Sequence, residues 1–179
     1  MHDWNVVVTV HEGGFSAACR LLGKIGPVSR TEFFNVLVMR VEDMASLMEQ
    51  LQELVEREPG ILNDIARLIP LQHVFNFQSP EKFEENASEI VCRWVPELAD
   101  KSFHVRMRRR GFKGRLSSMD EERFLDERIL EALEIEGKPG RIVFENPDFV
   151  ITVESVGTRA GVSLWSRDEL RRYEFLKTD

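Results

Sequence analysis

Residues 103–115, FHVRMRRRGFKGR, alternate apolar and polar or cationic side chains and then break at a glycine-flanked turn. Successive side chains on a β-strand point to opposite faces of the sheet. Phe103, Val105 and Met107 therefore supply a core face, with Arg109 continuing that side, while His104, Arg106, Arg108 and Arg110 fall on the other. Cations two residues apart on a strand stand about 7 Å from each other, close to the spacing of backbone phosphates. Arginine forks match phosphate oxygens and also stack on exposed bases. Gly111 and Gly114 are expected to make a flexible turn from which Lys113 and Arg115 reach a ligand.

The charge count sets this stretch apart. Lys101, Arg106, Arg108, Arg109, Arg110, Lys113 and Arg115 are seven cations with no acid among them; taken out of a net charge of −7, they leave −14 for the rest of the chain. Positive charge gathered in one place attracts a polyanion whatever the overall sign. A solvated edge strand also carries charge, to block sheet-to-sheet pairing. That purpose needs one or two cations and usually mixes signs, so the density here favours a polyanionic partner.

Outward from the basic strand, the pattern is mixed. Residues 4–10, WNVVVTV, read as a first strand, broken by Gly13-Gly14, and 15–22 as a short helix. A second strand is expected over 31–41, a helix over 43–57, a short helix over 61–68 and a third strand over 71–77. Ser79-Pro80-Glu81 is a helix start, with serine as cap and proline in the first turn. That helix carries Phe83, Ala87, Ile90, Val91 and Trp94 at helical spacing and stops near Pro96. After the basic strand, Ser117 or Ser118 caps a helix lasting to about Ile135, and strands follow over 141–144, 149–156 and 161–165. Strands alternating with helices imply an α/β (α+β) architecture with helices packed on mixed sheets. A boundary near Ser79 gives domains 1–78 and 79–179, each long enough to fold alone.

Signatures of other function classes are missing. The N-terminus has no cations ahead of an apolar run, and no apolar run approaches the roughly 20 residues that span a bilayer, so a cytoplasmic protein without membrane association is expected. Cys19 and Cys92 are too far apart for a metal clip and are read as small buried residues. His2, His11, His73 and His104 lack metal-ligand spacing, and His104 is expected to be solvated. Neither a phosphate loop nor a nucleophile elbow occurs. The acids of the helix 118–135 alternate with Arg123 and Arg128, which reads as a salt-bridged surface. No catalytic residue, metal or cofactor is expected. Trp165 reads as core, while Arg159, Arg171 and Arg172 are lesser candidates for the basic surface.

From about Glu81 to Tyr173 the chain resembles the THUMP domain of tRNA-modifying enzymes. The resemblance is carried by the strand FHVRMRRRG, the helix MDEERFLDERILEALE and the segment ENPDFVITVESVG, in which Asn146-Pro147-Asp148 leads into a strand of the family's VITVE type. The preceding part is similar to the ferredoxin-like domain that normally accompanies it. THUMP enzymes carry a separate catalytic domain, and no residues remain here to build one. The chain therefore most resembles stand-alone THUMP proteins, the tRNA-binding adaptors of a cytidine acetyltransferase. The resemblance implies a non-enzymatic protein that binds the acceptor stem and 3′ end of tRNA through Arg106, Arg108, Arg109, Arg110 and Lys113, with a tRNA acetyltransferase as candidate partner. Local charge adds Lys101 and Arg115. From the residues alone two further classes stay open: an interaction module whose basic strand docks an acidic protein, and an enzyme with a small-molecule pocket between the first two strands.

Overall fold

The structure, a computed structural model, describes residues 1–178. The β-branched run Val6–Val10 forms β1, whose valines are all buried. Around it the chain builds α1 (Phe15–Leu22), β2 (Val28–Arg30), β3 (Val36–Met39), α2 (Met44–Arg57), a 3₁₀ turn (Pro59–Asn63) and β4 (Ile65–Pro70). The four strands make one sheet in the order β2-β3-β1-β4, every neighbouring pair antiparallel. Asp43 caps α2 by accepting from the Ser46 N–H at 3.0 Å, and Leu47, Met48, Leu51, Leu54 and Val55 form its buried stripe.

Two expectations for this half are corrected. The single strand over 31–41 is a hairpin arm, because Thr31 turns the chain. Its hydroxyl accepts from the Phe33 N–H at 3.1 Å and donates to the Val36 carbonyl at 2.9 Å, and Asn35 takes φ 57°. The short helix over 61–68 ends at Asn63, and Ile65, Leu68 and Ile69 enter the sheet as buried strand residues. Apolar runs of this length do not distinguish strand from helix by themselves.

The second half contains β5 (His73–Asn76), α3 (Pro80–Cys92), α4 (Val95–Leu98), β6 (Ser102–Arg110), α5 (Ser118–Ile135), β7 (Arg141–Ile142), β8 (Phe149–Val156), β9 (Arg159–Ser166) and α6 (Arg167–Arg172). Its sheet runs β5-β9-β8-β6-β7 and is mixed: β6 is parallel to both β7 and β8, while β9 is antiparallel to β8 and β5. Phe103, Val105 and Met107 of β6 and Ile151 and Val153 of β8 pack with Phe83, Ile90 and Val91 of α3 and with Leu125, Ile129 and Leu133 of α5. The odd-numbered face of β6 is thus the core face. Ser79 and Ser117 cap α3 and α5, accepting from the Lys82 N–H at 3.2 Å and the Asp120 N–H at 3.3 Å.

The chain divides into two compact units, 1–71 with 171–177, and 72–170 with Thr178. This differs from the expected 78/79 boundary in two respects. The strand at 73–76 joins the second sheet through β9, and the segment 171–177 returns to the first unit. Cys19 and Cys92 are half-buried and free, not fully buried as expected.

Candidate nucleic-acid interface

The even-numbered face of β6 lies over polar residues of β8. Arg106 stands opposite Thr152, Arg108 opposite Glu154 and Arg110 opposite Val156. Thr152 and Glu154 are buried, and the indole N–H of buried Trp165 donates to Thr152 Oγ1 at 3.1 Å. A cation above a buried carboxylate is drawn inward. Arg110 Nη1 lies 2.6 Å from Glu154 Oε2, with side chains 12% and 0% exposed. Arg110, expected to contact ligand, instead holds the charge of Glu154 inside the sheet. Arg108 is half-buried, and Arg106 is exposed with its Nε donating to the Thr178 carbonyl at 3.1 Å. His104 is buried rather than solvated, its Nδ1 3.0 Å from the Val143 carbonyl; burial holds its pKa below the ordinary imidazole range.

The turn after β6 is wound around a ring. Gly111, Phe112 and Gly114 take φ of 99°, 52° and 79°, a left-handed path that glycine tolerates and phenylalanine does not readily adopt. Phe112 is kept there by packing on Phe77, with centroids 4.9 Å apart, and by the Arg115 and Leu116 N–H groups, which both donate to its carbonyl at 3.0 Å. Lys113 and Arg115 project outward, the Arg115 guanidinium 4.8 Å from the Phe112 ring centre. Arg109, whose guanidinium bonds the Gly111 carbonyl, lines an open groove of about 580 Å³ with Arg115, Ser117, Ser118, Asp120 and Glu121. Glu121 is buried. Desolvation first, then the neighbouring Glu84, raises its pKa to about 8.

Two other acids of α5 serve the strand itself. Among the described residues no strand pairs with the outer edge of β6 beyond Phe103, since β7 pairs only with Ser102 and Phe103. The Val105 N–H donates to Asp126 Oδ1 and the Met107 N–H to Glu122 Oε1, both at 2.9 Å. The expected salt-bridged surface holds only in part: Arg128 pairs with Glu131 at 3.6 Å, but Glu122 and Asp126 turn to the strand, because spacing of i, i+4 on the helix matches i, i+2 on the strand. Burial pushes the Asp126 carboxyl up to about 7.

The seven predicted cations are not one patch. Arg109, Lys113 and Arg115 gather at the turn, while Arg106, Arg108 and Arg110 lie on the opposite face of β6. Lys101 begins the strand, about 30 Å from Arg110 at the usual rise per residue, and its carbonyl accepts from the Arg141 N–H at 3.1 Å. It belongs to the other end of the sheet. Arg159, a lesser candidate, lies beside the end of β6. It stands opposite Val156, the residue that faces Arg110, and its Nη1 donates to Asn76 Oδ1 at 3.3 Å. Val156-Gly157-Thr158-Arg159 forms a two-residue hairpin with Gly157 at φ 61°, and a reading of that turn signal would have placed Arg159 beside the end of β6. Arg172, by contrast, pairs with Glu49 at 3.0 Å.

Among the described residues no group of His, Cys, Asp or Glu side chains is arranged to hold a metal ion. Nor, among the described residues, is any helix long and apolar enough to cross a membrane.

Residues 77–164 match the family model of the THUMP domain. Among solved structures, the chain is similar to PH1313 from Pyrococcus horikoshii, at 16% identity and TM-score 0.60 over 89% of this chain and 53% of that one. It is also similar to TrmN from Thermus thermophilus, at 16% identity and TM-score 0.55 over 89% of this chain and 44% of that one. A 4-thiouridine synthetase in complex with RNA and ATP matches at 15% identity and TM-score 0.56, over 90% of this chain and 41% of that one. These likenesses establish the fold, and the chain spans only about half or less of the length of those proteins. No curated protein matches.

Proposed function

From the premise that residues 77–164 form a THUMP domain, we propose that this chain binds tRNA and presents it to a modification enzyme without contributing catalysis of its own. The observation that carries the reading is the two sets of cations on that domain: exposed Arg106 with half-buried Arg108 on one face of β6, and half-buried Arg109 with exposed Lys113 and Arg115 at the turn after it. A protein that shares the fold, the 4-thiouridine synthetase, was solved with RNA bound. The strand order β2-β3-β1-β4 and the β-α-β-β-α-β succession of the first unit support a ferredoxin-like partner domain. The acceptor stem and 3′ end of tRNA are the part bound, a tRNA cytidine acetyltransferase is the enzyme served, and the cytoplasm is the compartment.

Phosphate contacts make affinity fall with salt. Four contacts, from Arg106, Arg108, Lys113 and Arg115, predict a log–log slope of about −3.6 on duplex RNA, and removing three of them reduces it by about 2.7. Filter binding of tRNA across a salt series, on the native chain and on the combined Arg106→Ala, Lys113→Ala and Arg115→Ala variant, measures both. A flat salt dependence, or an unchanged affinity in the variant, overturns the proposal. An acidic protein that total RNA fails to displace would identify the basic strand as a protein-docking element instead.

A further inference from the structure

The charged row on β6 has an aromatic end. Phe144 is 75% exposed, so its ring forgoes the hydrophobic gain that burial normally brings. The ring is nevertheless held in place. The Val143 N–H donates to the Phe103 carbonyl at 3.1 Å, and the His104 and Phe144 ring centroids lie 5.5 Å apart at a tilt of 48°. On the other side of the loop, Asp148 Oδ2 accepts from the Ser102 N–H at 2.9 Å and from its hydroxyl at 3.0 Å. Arg167 donates to the Asn146 carbonyl at 2.7 Å and to the Pro147 carbonyl at 3.1 Å. Residues 143–148 are thus anchored at both ends, which lowers the ordering cost of presenting the phenyl ring.

Its surroundings are cationic on one side. His104 precedes Arg106 by two residues on the same face, which sets the Cα of that exposed arginine about 7 Å further along the strand. Exposed Arg141 pairs with Ser102 and so shares that face. In sequence the ring is followed by Glu145 and Asn146 rather than by more apolar residues, which suits a single planar ligand better than an apolar protein face. An exposed ring beside a strand that carries an exposed arginine is an arrangement suited to single-stranded nucleic acid: every base has a π-face to stack, and the guanidinium can take a neighbouring phosphate.

We propose that Phe144 is a stacking platform for an unpaired base of the bound RNA, with the neighbouring phosphate on Arg106. This rests on the RNA-binding reading above and adds a contact at the end of the sheet opposite the turn. The test compares two RNA hairpins of the same stem, one blunt and one with a short single-stranded 3′ overhang. Phe144→Ala and Phe144→Leu are expected to weaken binding of the overhang RNA by about 5- to 150-fold, to leave the blunt hairpin unaffected and to keep the salt slope. Phe144→Trp is expected to retain affinity and to show emission quenched by the overhang RNA beyond the change in the native chain. Native-like binding by the alanine variant, native-like binding by the leucine variant, or equal losses on both hairpins would each overturn the platform while leaving RNA binding intact. Binding of neither hairpin by the native chain would overturn both proposals.

Discussion

Arg106 and Arg110 sit four residues apart on one face of one strand, yet they do different work. Arg106 reaches solvent, whereas Arg110 lies 2.6 Å from a carboxylate with no exposure. Removing one member of a buried ion pair leaves the other charge in a medium that does not solvate it. Arg110→Ala is therefore expected to lower stability by about 3 kcal/mol, read as a shift in the urea midpoint. Adding Glu154→Gln should recover part of that loss. Arg106→Ala should move stability by less than about 0.5 kcal/mol while weakening RNA binding. A scan that measured only RNA binding would confuse the two, because the Arg110 variant loses binding through loss of fold.

At the scale of elements, α5 and β6 are joined by a polar seam as well as by their apolar faces. Asp126 and Glu122 receive two backbone N–H groups that no neighbouring strand can take. Burying Asp126 for this purpose raises its pKa to about 7 from an ordinary value near 3.8. An acid whose pKa is higher folded than unfolded binds more protons in the folded state between those values. Stability then falls as pH rises from about 4 to about 7, and the loss is complete above that range. Glu121, raised to about 8, adds a loss in the same direction. Asp126→Asn keeps an oxygen to accept from Val105 and removes the charge. It is expected to flatten this decline and to stabilise the protein at pH 8 by about 1–3 kcal/mol, measured by denaturant unfolding at several pH values. A steeper decline in the variant would contradict the seam as described.

At the scale of the whole molecule, the returning segment 171–177 completes the first unit. The Leu68 N–H donates to the Phe175 carbonyl at 2.9 Å and Arg67 Nε to the Lys177 carbonyl at 3.0 Å, while Tyr173, Phe175 and Leu176 are buried. Burying each such side chain contributes about 1.5–3 kcal/mol, a large share of a small unit's stability. A fragment ending at residue 78 is accordingly expected to be unfolded or strongly destabilised by circular dichroism. A peptide covering 171–177 should restore structure to it, and a fragment 72–170 should fold alone. A stable, cooperative 1–78 fragment would show that the returning segment is dispensable.

Much of this protein is legible along the chain. The two faces of β6, the stripes of α2, α3 and α5, and the caps Asp43, Ser79 and Ser117 follow from spacing, because periodicity and capping are relations among near neighbours. Even the THUMP pattern is local: a strand, a helix and an Asn-Pro-Asp turn in order. The fate of each cation depended on residues far away. Glu154, which engages Arg110, lies 44 positions on, and the Val143 carbonyl bonded to His104 lies 39 positions on. The strand at 73–76 likewise entered the second sheet by pairing with β9, nearly ninety residues later. The sequence by itself determined the elements, their buried sides and the presence of a cationic strand. Only the tertiary structure decided which arginines stay in water, because desolvation and ion pairing act between side chains that folding, not the chain, makes neighbours.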